Sequence, residues 1–397
     1  MPEHHLGLHY VSQGEFFYLF WYSYNMEQEL TKKLISINSQ LSFSNKKIVS
    51  FLDAQLRNIG ADVKISRYLS EDVIKYNILA VWNKSSKESP LIFSGHTDTV
   101  DKSEGWIKDP LIPRKKSNDL IGLGSSDMKG SIASFIVAIK KSNKFTRPVY
   151  MLLDGDEEGA GEGGKLLTKK KLAKNCTVIV GEPTDGKIRL GQKECYDLKI
   201  TTTGNSMHAS LSRYRSNENE NAIVKMSRII EAVRKYEKKI DNRKDLIYKN
   251  STLSYGLLSG GTSVNTIADT ANLLVNRRLV PKESFKKDFS ELKKVIKKID
   301  PKAGIKINFY GGPYNVNKNK AWVKKMLSVI KKKTNRKMDI IYKLGWTEAS
   351  LFNGWGKVMI IGPGNLASIH KPNEKISIKE LERTTKLYKL FIKDSSL

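Results

Sequence analysis

The chain is expected to fold as an α/β domain interrupted by a smaller α+β insert. Three observations predict this. Short apolar runs of strand length end, one after another, in acidic or histidine residues. Near residue 190 the pattern changes to strand-helix-strand-strand-helix-strand, the order of a ferredoxin-like unit. From about 315 to 397 it returns to helix, strand and loop. At 397 residues the chain is long enough for a large core and two domains.

In order, residues 26–60 read as a helical stretch ending at Gly60 as a C-cap. Residues 63–67 and 77–81 read as strands, and 91–94 as a short apolar strand running into Gly95-His96-Thr97-Asp98. A glycine-rich turn at 122–130 feeds a helix through 132–139. A buried strand at 149–153 ends in Asp154-Gly155-Asp156-Glu157-Glu158, and another at 178–180 ends in Gly181-Glu182-Pro183. In open α/β sheets, ligand sites form at the C-terminal ends of strands. The insert reads as strand 196–203, helix 220–239, strands 252–258 and 273–279, helix 285–298 and strand 306–310. A last apolar strand, 358–361, precedes Gly362-Pro363-Gly364.

Composition narrows the classes. Net charge is +28, and lysine dominates. The simplest source is solvated lysine on helix faces. No RNA-binding signature, zinc-finger spacing or helix-turn-helix pattern accompanies the charge, so nucleic acid is not expected as a partner. No apolar run reaches membrane-spanning length, so no membrane is expected either. The cysteines, Cys176 and Cys195, are too few for a disulfide framework and fit a reducing cytoplasm. Residues 1–25 hold no Lys or Arg and carry the aromatic run Phe16-Phe17-Tyr18-Leu19-Phe20-Trp21-Tyr22. They lack a basic n-region and a small-residue cleavage site, and are expected to be an extension outside the working domain.

Of 6 histidines, only His96, His208 and His370 lie beyond residue 25. His96, Asp127, Glu158, Glu182 and His370 each follow a strand or a glycine-containing loop, and each offers an N or O donor. Such a mixed imidazole and carboxylate set suits two divalent ions with a bridging carboxylate, zinc first, with cobalt or manganese as alternatives. A single histidine near a strand is ordinarily a structural hydrogen-bonder. Five such positions in this order are harder to explain that way.

Taken together, Gly95-His96-Thr97-Asp98-Thr99-Val100, the stretch from Gly122 to Gly130, Asp156-Glu157-Glu158, Gly181-Glu182-Pro183-Thr184 and Ile369-His370-Lys371-Pro372-Asn373-Glu374 resemble a known set. They are similar to the five metal motifs of the acetylornithine deacetylase and succinyl-diaminopimelate desuccinylase family of di-zinc amidohydrolases. The resemblance runs from about Met26 to the C-terminus. It implies a zinc-peptidase-like α/β catalytic domain over 26–192 and 312–397, with an inserted ferredoxin-like lid over 193–311 that often dimerises. It also implies roles. His96 and Glu182 would hold one zinc, Glu158 and His370 the other, and Asp127 would bridge. Asp98 would fix the His96 tautomer. Glu157 would be the general base. His208 of the lid would stabilise the oxyanion. Asn265 and Arg278 would reach the substrate, Arg278 through a carboxylate.

The sequence departs from the family at Glu194-Cys195, where Gly is usual, and at Asn276, where Asp is common. Trp346-Thr347-Glu348-Ala349 resembles the deacetylase branch, which makes Thr347 a candidate substrate contact, whereas His370-Lys371-Pro372-Asn373-Glu374 leans to the desuccinylase branch. The implied reaction is hydrolysis of an N-acyl amino acid in arginine or lysine biosynthesis. The alternatives are a carboxypeptidase or dipeptidase of the same family, or release of lysine or ornithine from an acidic carrier protein that a basic surface would steer.

Overall fold

The structure, a computed structural model, describes residues 25–211 and 221–397. The expected extension and its aromatic run lie outside the described residues, except for Asn25. The chain divides into two compact units. The first takes the chain up to Ile188, with Ala321–Asp339 and Trp355–Leu397, and the second takes Arg189–Lys320 and Ile340–Gly354.

The first unit begins with helices α1 (Met26–Ile35) and α2 (Lys46–Asn58). One continuous helical stretch was expected here, but the chain breaks at 36–45. The break brings Gln40 beside Thr99 and lets the Leu41 N–H donate to the Thr99 carbonyl, so tertiary pairing overrides local helical pattern. Strands β1 (Asp62–Ser70), β2 (Val73–Trp82) and β3 (Leu91–His96) follow, then helix α3 (Gly130–Lys141), β4 (Val149–Asp154) and β5 (Cys176–Val180).

The second unit is built from β6 (Glu194–Thr203), α4 (Ala222–Ile240), β7 (Thr252–Gly260), β8 (Thr270–Leu279), α5 (Phe285–Ile299) and β9 (Gly304–Gly311). The chain then returns to the first unit with α6 (Ala321–Thr334), β10 (Gly356–Ile360) and α7 (Ile378–Lys393).

In the first unit six strands lie in the order β1-β2-β4-β3-β5-β10. The pairs β4-β3, β3-β5 and β5-β10 are parallel, and β1 and β2 add on antiparallel. The parallel strands read as nearly unbroken apolar runs because both of their faces are covered. Helix α3 is apolar on every side and buried through Ile139, as a helix wrapped by protein must be. Its Phe135 stacks on Phe93 of β3 at 4.3 Å between centroids, and Tyr388 of α7 meets both rings edge-on. This core fixes the C-terminal ends of β3, β4, β5 and β10 side by side.

The second unit is a four-stranded antiparallel sheet in the order β7-β8-β6-β9, with α4 and α5 on one face. It also includes Ile340–Gly354, which the sequence reading had left in the catalytic domain. The reason is local. Gln192 binds Thr347 twice, through its Nε2 to the Thr347 carbonyl at 2.8 Å and through Oε1 to the Thr347 hydroxyl at 2.7 Å.

A network of charged side chains lies inside this unit. Arg277 points into the core from β8 and is 0% exposed. It binds Asp288 of α5 through Nε at 3.0 Å and Nη2 at 2.7 Å. Asp288 also accepts from the hydroxyls of Tyr196 and Tyr236 and from Arg243. Removing one partner of a buried pair strands the other charge and costs about 3–5 kcal/mol. Asp288→Ala should therefore lower stability by roughly that amount in urea unfolding. A loss within the range of surface substitutions, below about 0.5 kcal/mol, would contradict the account.

Candidate metal centre

Seven of the predicted residues gather in the first unit. His96 ends β3, and Glu157 and Glu158 follow β4 in a turn. Glu182 lies just past β5, Asp127 in the turn before α3, and His370 in the loop between β10 and α7. Asp127 presents one oxygen to each histidine. Its Oδ1 is 3.2 Å from His96 Nε2, and its Oδ2 is 3.5 Å from His370 Nε2. Glu182 Oε1 stands 3.6 Å from His96 Nε2, and Glu158 Oε1 stands 2.8 Å from His370 Nε2. Two groups with metal-binding spacing result, His96-Asp127-Glu182 and Asp127-Glu158-His370, and Asp127 belongs to both. A third group, His96-Glu157-Glu158, places Glu157 beside the same histidine.

The donor set fits divalent cations. It is all nitrogen and oxygen, it is shared through a carboxylate, and it carries more anionic than cationic groups in a mostly buried place.

The titration pattern shows the same excess. Hydrogen bonds to Asp127 and Glu158 push His370 up to about 10. Burial pulls His96 down, but bonds to Asp127 and Asp98 outweigh it and raise it well above its ordinary value. Burial first, then the charge of Glu182, pushes Glu157 well up, and burial with the Asp127 charge raises Glu158. Asp127 is held low despite its burial, by hydrogen bonds from both imidazoles.

Asp98 differs from its expected role in one respect. His96 Nδ1 is 3.0 Å from the Asp98 backbone carbonyl and 3.5 Å from its carboxylate. The carboxylate accepts from the backbone N–H groups of Glu157 at 3.3 Å and Glu158 at 3.1 Å. Asp98 thus aims the imidazole and holds the acidic turn together.

The remaining candidates belong to the second unit. His208 is exposed, and its Nδ1 accepts from the Ser210 N–H at 3.2 Å. A backbone N–H can only donate, so in the neutral ring the proton sits on Nε2. Asn265 lies on the neighbouring loop, where its carbonyl accepts from the Ala209 N–H at 2.8 Å and its side chain from Ser263. Arg278 donates from Nε to Asn276 Oδ1 at 2.8 Å, and Asn276 in turn donates to Asp197. Thr347, the last of the candidates, lies in the same unit. It is buried, its hydroxyl is held by Gln192, and its oxygen caps Ala349 N–H at 3.2 Å.

The sequence reading gave no role to three supporting residues. Asp156 accepts from Tyr68, Ser70, Glu162 N–H and Gly163 N–H, and so pins the turn that carries Glu157. Lys129 is buried and donates to the Ile37 carbonyl, and burial pushes its ammonium down to about 7. Glu374 is buried against the Asp127 turn, and burial with the Asp127 charge pushes it up to about 7. All three lie inside or next to the recognised motifs, which was their only signal.

A profile described as peptidase family M20/M25/M40 matches residues 92–394. The chain belongs to this family. Among curated relatives, an acetylornithine deacetylase from Buchnera aphidicola subsp. Schizaphis graminum is 27% identical, over 90% of this chain and 93% of its own. A succinyl-diaminopimelate desuccinylase from Pelagibacter ubique is also 27% identical, over 94% of this chain and 99% of its own. Among solved structures, an M20 metallo-carboxypeptidase from Sulfolobus solfataricus superposes with a TM-score of 0.74 at 20% identity, covering 93% of this chain and 99% of that one. Human carnosine dipeptidase 1 gives 0.73 at 15%, covering 95% and 99%. The M20 fold is therefore shown, and the protein is a metal-dependent amidohydrolase of this family. No helix among the described residues is long and apolar enough to cross a membrane.

The proton pattern has a consequence for stability. His370 has a folded pKa of about 10, above its ordinary 6.5. A group raised in this way stabilises fully below its unfolded pKa and ceases to as pH climbs through its folded one. Glu157 and Glu158 carry the same sign, starting from the carboxylate range. The chelated protein should therefore lose stability between about pH 6 and about pH 10. Divalent cation should flatten or reverse that slope, because it competes with the protons. Tm measured against pH with and without chelator checks this, and a rising chelated Tm would contradict it.

Proposed function

We propose that the protein hydrolyses the amide bond of an N-acyl amino acid, acetylornithine-like or succinyl-diaminopimelate-like, in arginine or lysine biosynthesis. The observation that carries the reading is Asp127, one carboxylate facing two histidines that each have a further acidic partner. His96 and Glu182 would hold one ion, Glu158 and His370 the other, and Asp127 both. Zinc is the first candidate, with cobalt or manganese as alternatives. When bound, such ions supply Lewis acidity at the scissile carbonyl and a more acidic water.

The chain's own residues do the rest. Glu157 stands beside His96 without a ligand's place in either Asp127 group, and its raised affinity for protons suits a base that must also return a proton. It takes a proton from the attacking water and passes it to the leaving amine. His208, with its Nε2–H free to donate, is assigned to the developing oxyanion, and Asn265 on the adjoining loop to the substrate. Arg278 is assigned to the substrate carboxylate. Its Nη1 is buried and has no hydrogen-bond partner among the described residues, while Asn276 fixes the plane of the guanidinium. The curated relatives' names support the acyl-amino-acid reading over a peptidase one, and a side-by-side dipeptide assay separates the two. The same assay against an acylated acidic carrier protein tests the remaining alternative.

We infer a cytoplasmic homodimer joined through the second unit. Among the described residues the edge strand β7 has one unpaired side, and it exposes Leu257 and Leu258, which are 66% and 63% accessible. Leu257→Lys should shift the species seen by sedimentation from dimer to monomer, and an unshifted dimer would refute this interface.

Glu157→Gln should reduce turnover of N-acyl amino acids by about 100-fold to 10,000-fold, as loss of a general base does. Metal content should stay at the wild-type value. A panel of acetylated and succinylated amino acids with no metal-dependent turnover would overturn the proposal.

A further inference from the structure

We propose that Glu374 is a positioning residue that locks the Asp127 turn to the His370 loop and thereby sets the spacing of the two donor groups. This rests on the two-cation reading of Asp127 given above. Glu374 is 2% exposed and lies four positions after His370. Its two carboxylate oxygens accept three backbone N–H groups of one turn. Oε2 accepts from Gly124 at 2.8 Å, and Oε1 accepts from Ser126 at 2.7 Å and from Asp127 itself at 3.0 Å. Its own carbonyl accepts from the Gly122 N–H at 3.0 Å. One residue therefore spans the turn from 122 to 127.

The turn is shaped to receive it. Gly124 has φ +75°, and this left-handed step helps turn successive N–H groups towards one point. A second seam runs alongside, where the Ser126 hydroxyl donates to the Lys375 carbonyl at 2.7 Å and accepts from the Asn365 N–H at 3.2 Å. On the other side of the lock, His370 and Asn373 sit at φ +56° and +61°. Non-glycine residues adopt such conformations rarely, and a loop holds them only where its surroundings determine it. Those surroundings include Glu374.

Glu374 contacts the backbone of Asp127 and makes no hydrogen bond to the side chain of either histidine, Glu158 or Glu182. It acts through the placement of Asp127, not as a ligand. Three donors converge on it, so the position needs a group that only accepts. A glutamine would turn its NH2 towards at least one backbone N–H. An aspartate keeps the charge but is one methylene shorter.

The test uses the full-length protein, stripped with chelator and titrated with cobalt(II), read by visible absorption and by competition with a chelator of known affinity. Wild type is compared with Glu374→Gln and Glu374→Asp. Glu374→Gln should bind cobalt about 10-fold to 100-fold more weakly, the usual loss when a residue that supports metal ligands is changed. Its absorption bands should shift, because the ligands are re-aimed. Both chelated variants should still melt cooperatively, and Glu374→Asp should recover part of the affinity. Wild-type affinity and bands in Glu374→Gln would overturn the inference alone. So would failure of both chelated variants to fold while chelated wild type does, since Glu374 would then serve the scaffold whatever the cations. A wild type that binds no cobalt would overturn the two-cation reading, and this inference with it.

Discussion

Four carboxylates, Asp127, Glu157, Glu158 and Glu182, converge on His96 and His370 at the ends of parallel strands. Like charges at that separation repel strongly where water is largely excluded. Burial first, and that repulsion after it, raises the proton affinity of Glu157 and Glu158, while hydrogen bonds to the carboxylates raise that of both histidines. A fold that gathers such groups has to restrain them from outside.

The restraint is made of backbone N–H groups gripped by other acids. Asp98 grips the N–H groups of Glu157 and Glu158, Asp156 grips those of Glu162 and Gly163, and Glu374 grips those of Gly124, Ser126 and Asp127. Each is a carboxylate that spends its lone pairs on amides, so the donor carboxylates remain directed at the histidines. The second unit solves a different problem with similar parts. There Asp288 and Arg277 pair inside the core, and two tyrosines and Arg243 fill the remaining acceptor sites. That network holds α5 to β8 and leaves no comparable anionic excess.

Most strands and helices were legible because their periods are plain. The apolar runs before His96, Asp154 and Glu182 are strands, and the insert shows its six elements in the expected order. The helical stretch breaks near residue 36 because pairing of Gln40 with Thr99, 59 positions away in sequence, decides it. Thr347 has a partner that no local pattern shows. Its neighbours resemble a substrate segment, yet its hydroxyl is held by Gln192, which lies 155 positions away. Arg277 and Arg278 look alike as sequence. Strand alternation sends the first into the core and the second to the opposite face, where Asn276 and Asp197 align it.

By itself the sequence determined which residue types gather at the candidate centre and where the chain would turn to present them. Those signals are local: an apolar run, a glycine, an acid or imidazole at its end. The tertiary structure alone decided that Asp127 turns one oxygen to each histidine, and that its backbone N–H donates to Glu374. Both depend on distances between residues up to 247 positions apart in the chain, and no local pattern encodes such distances.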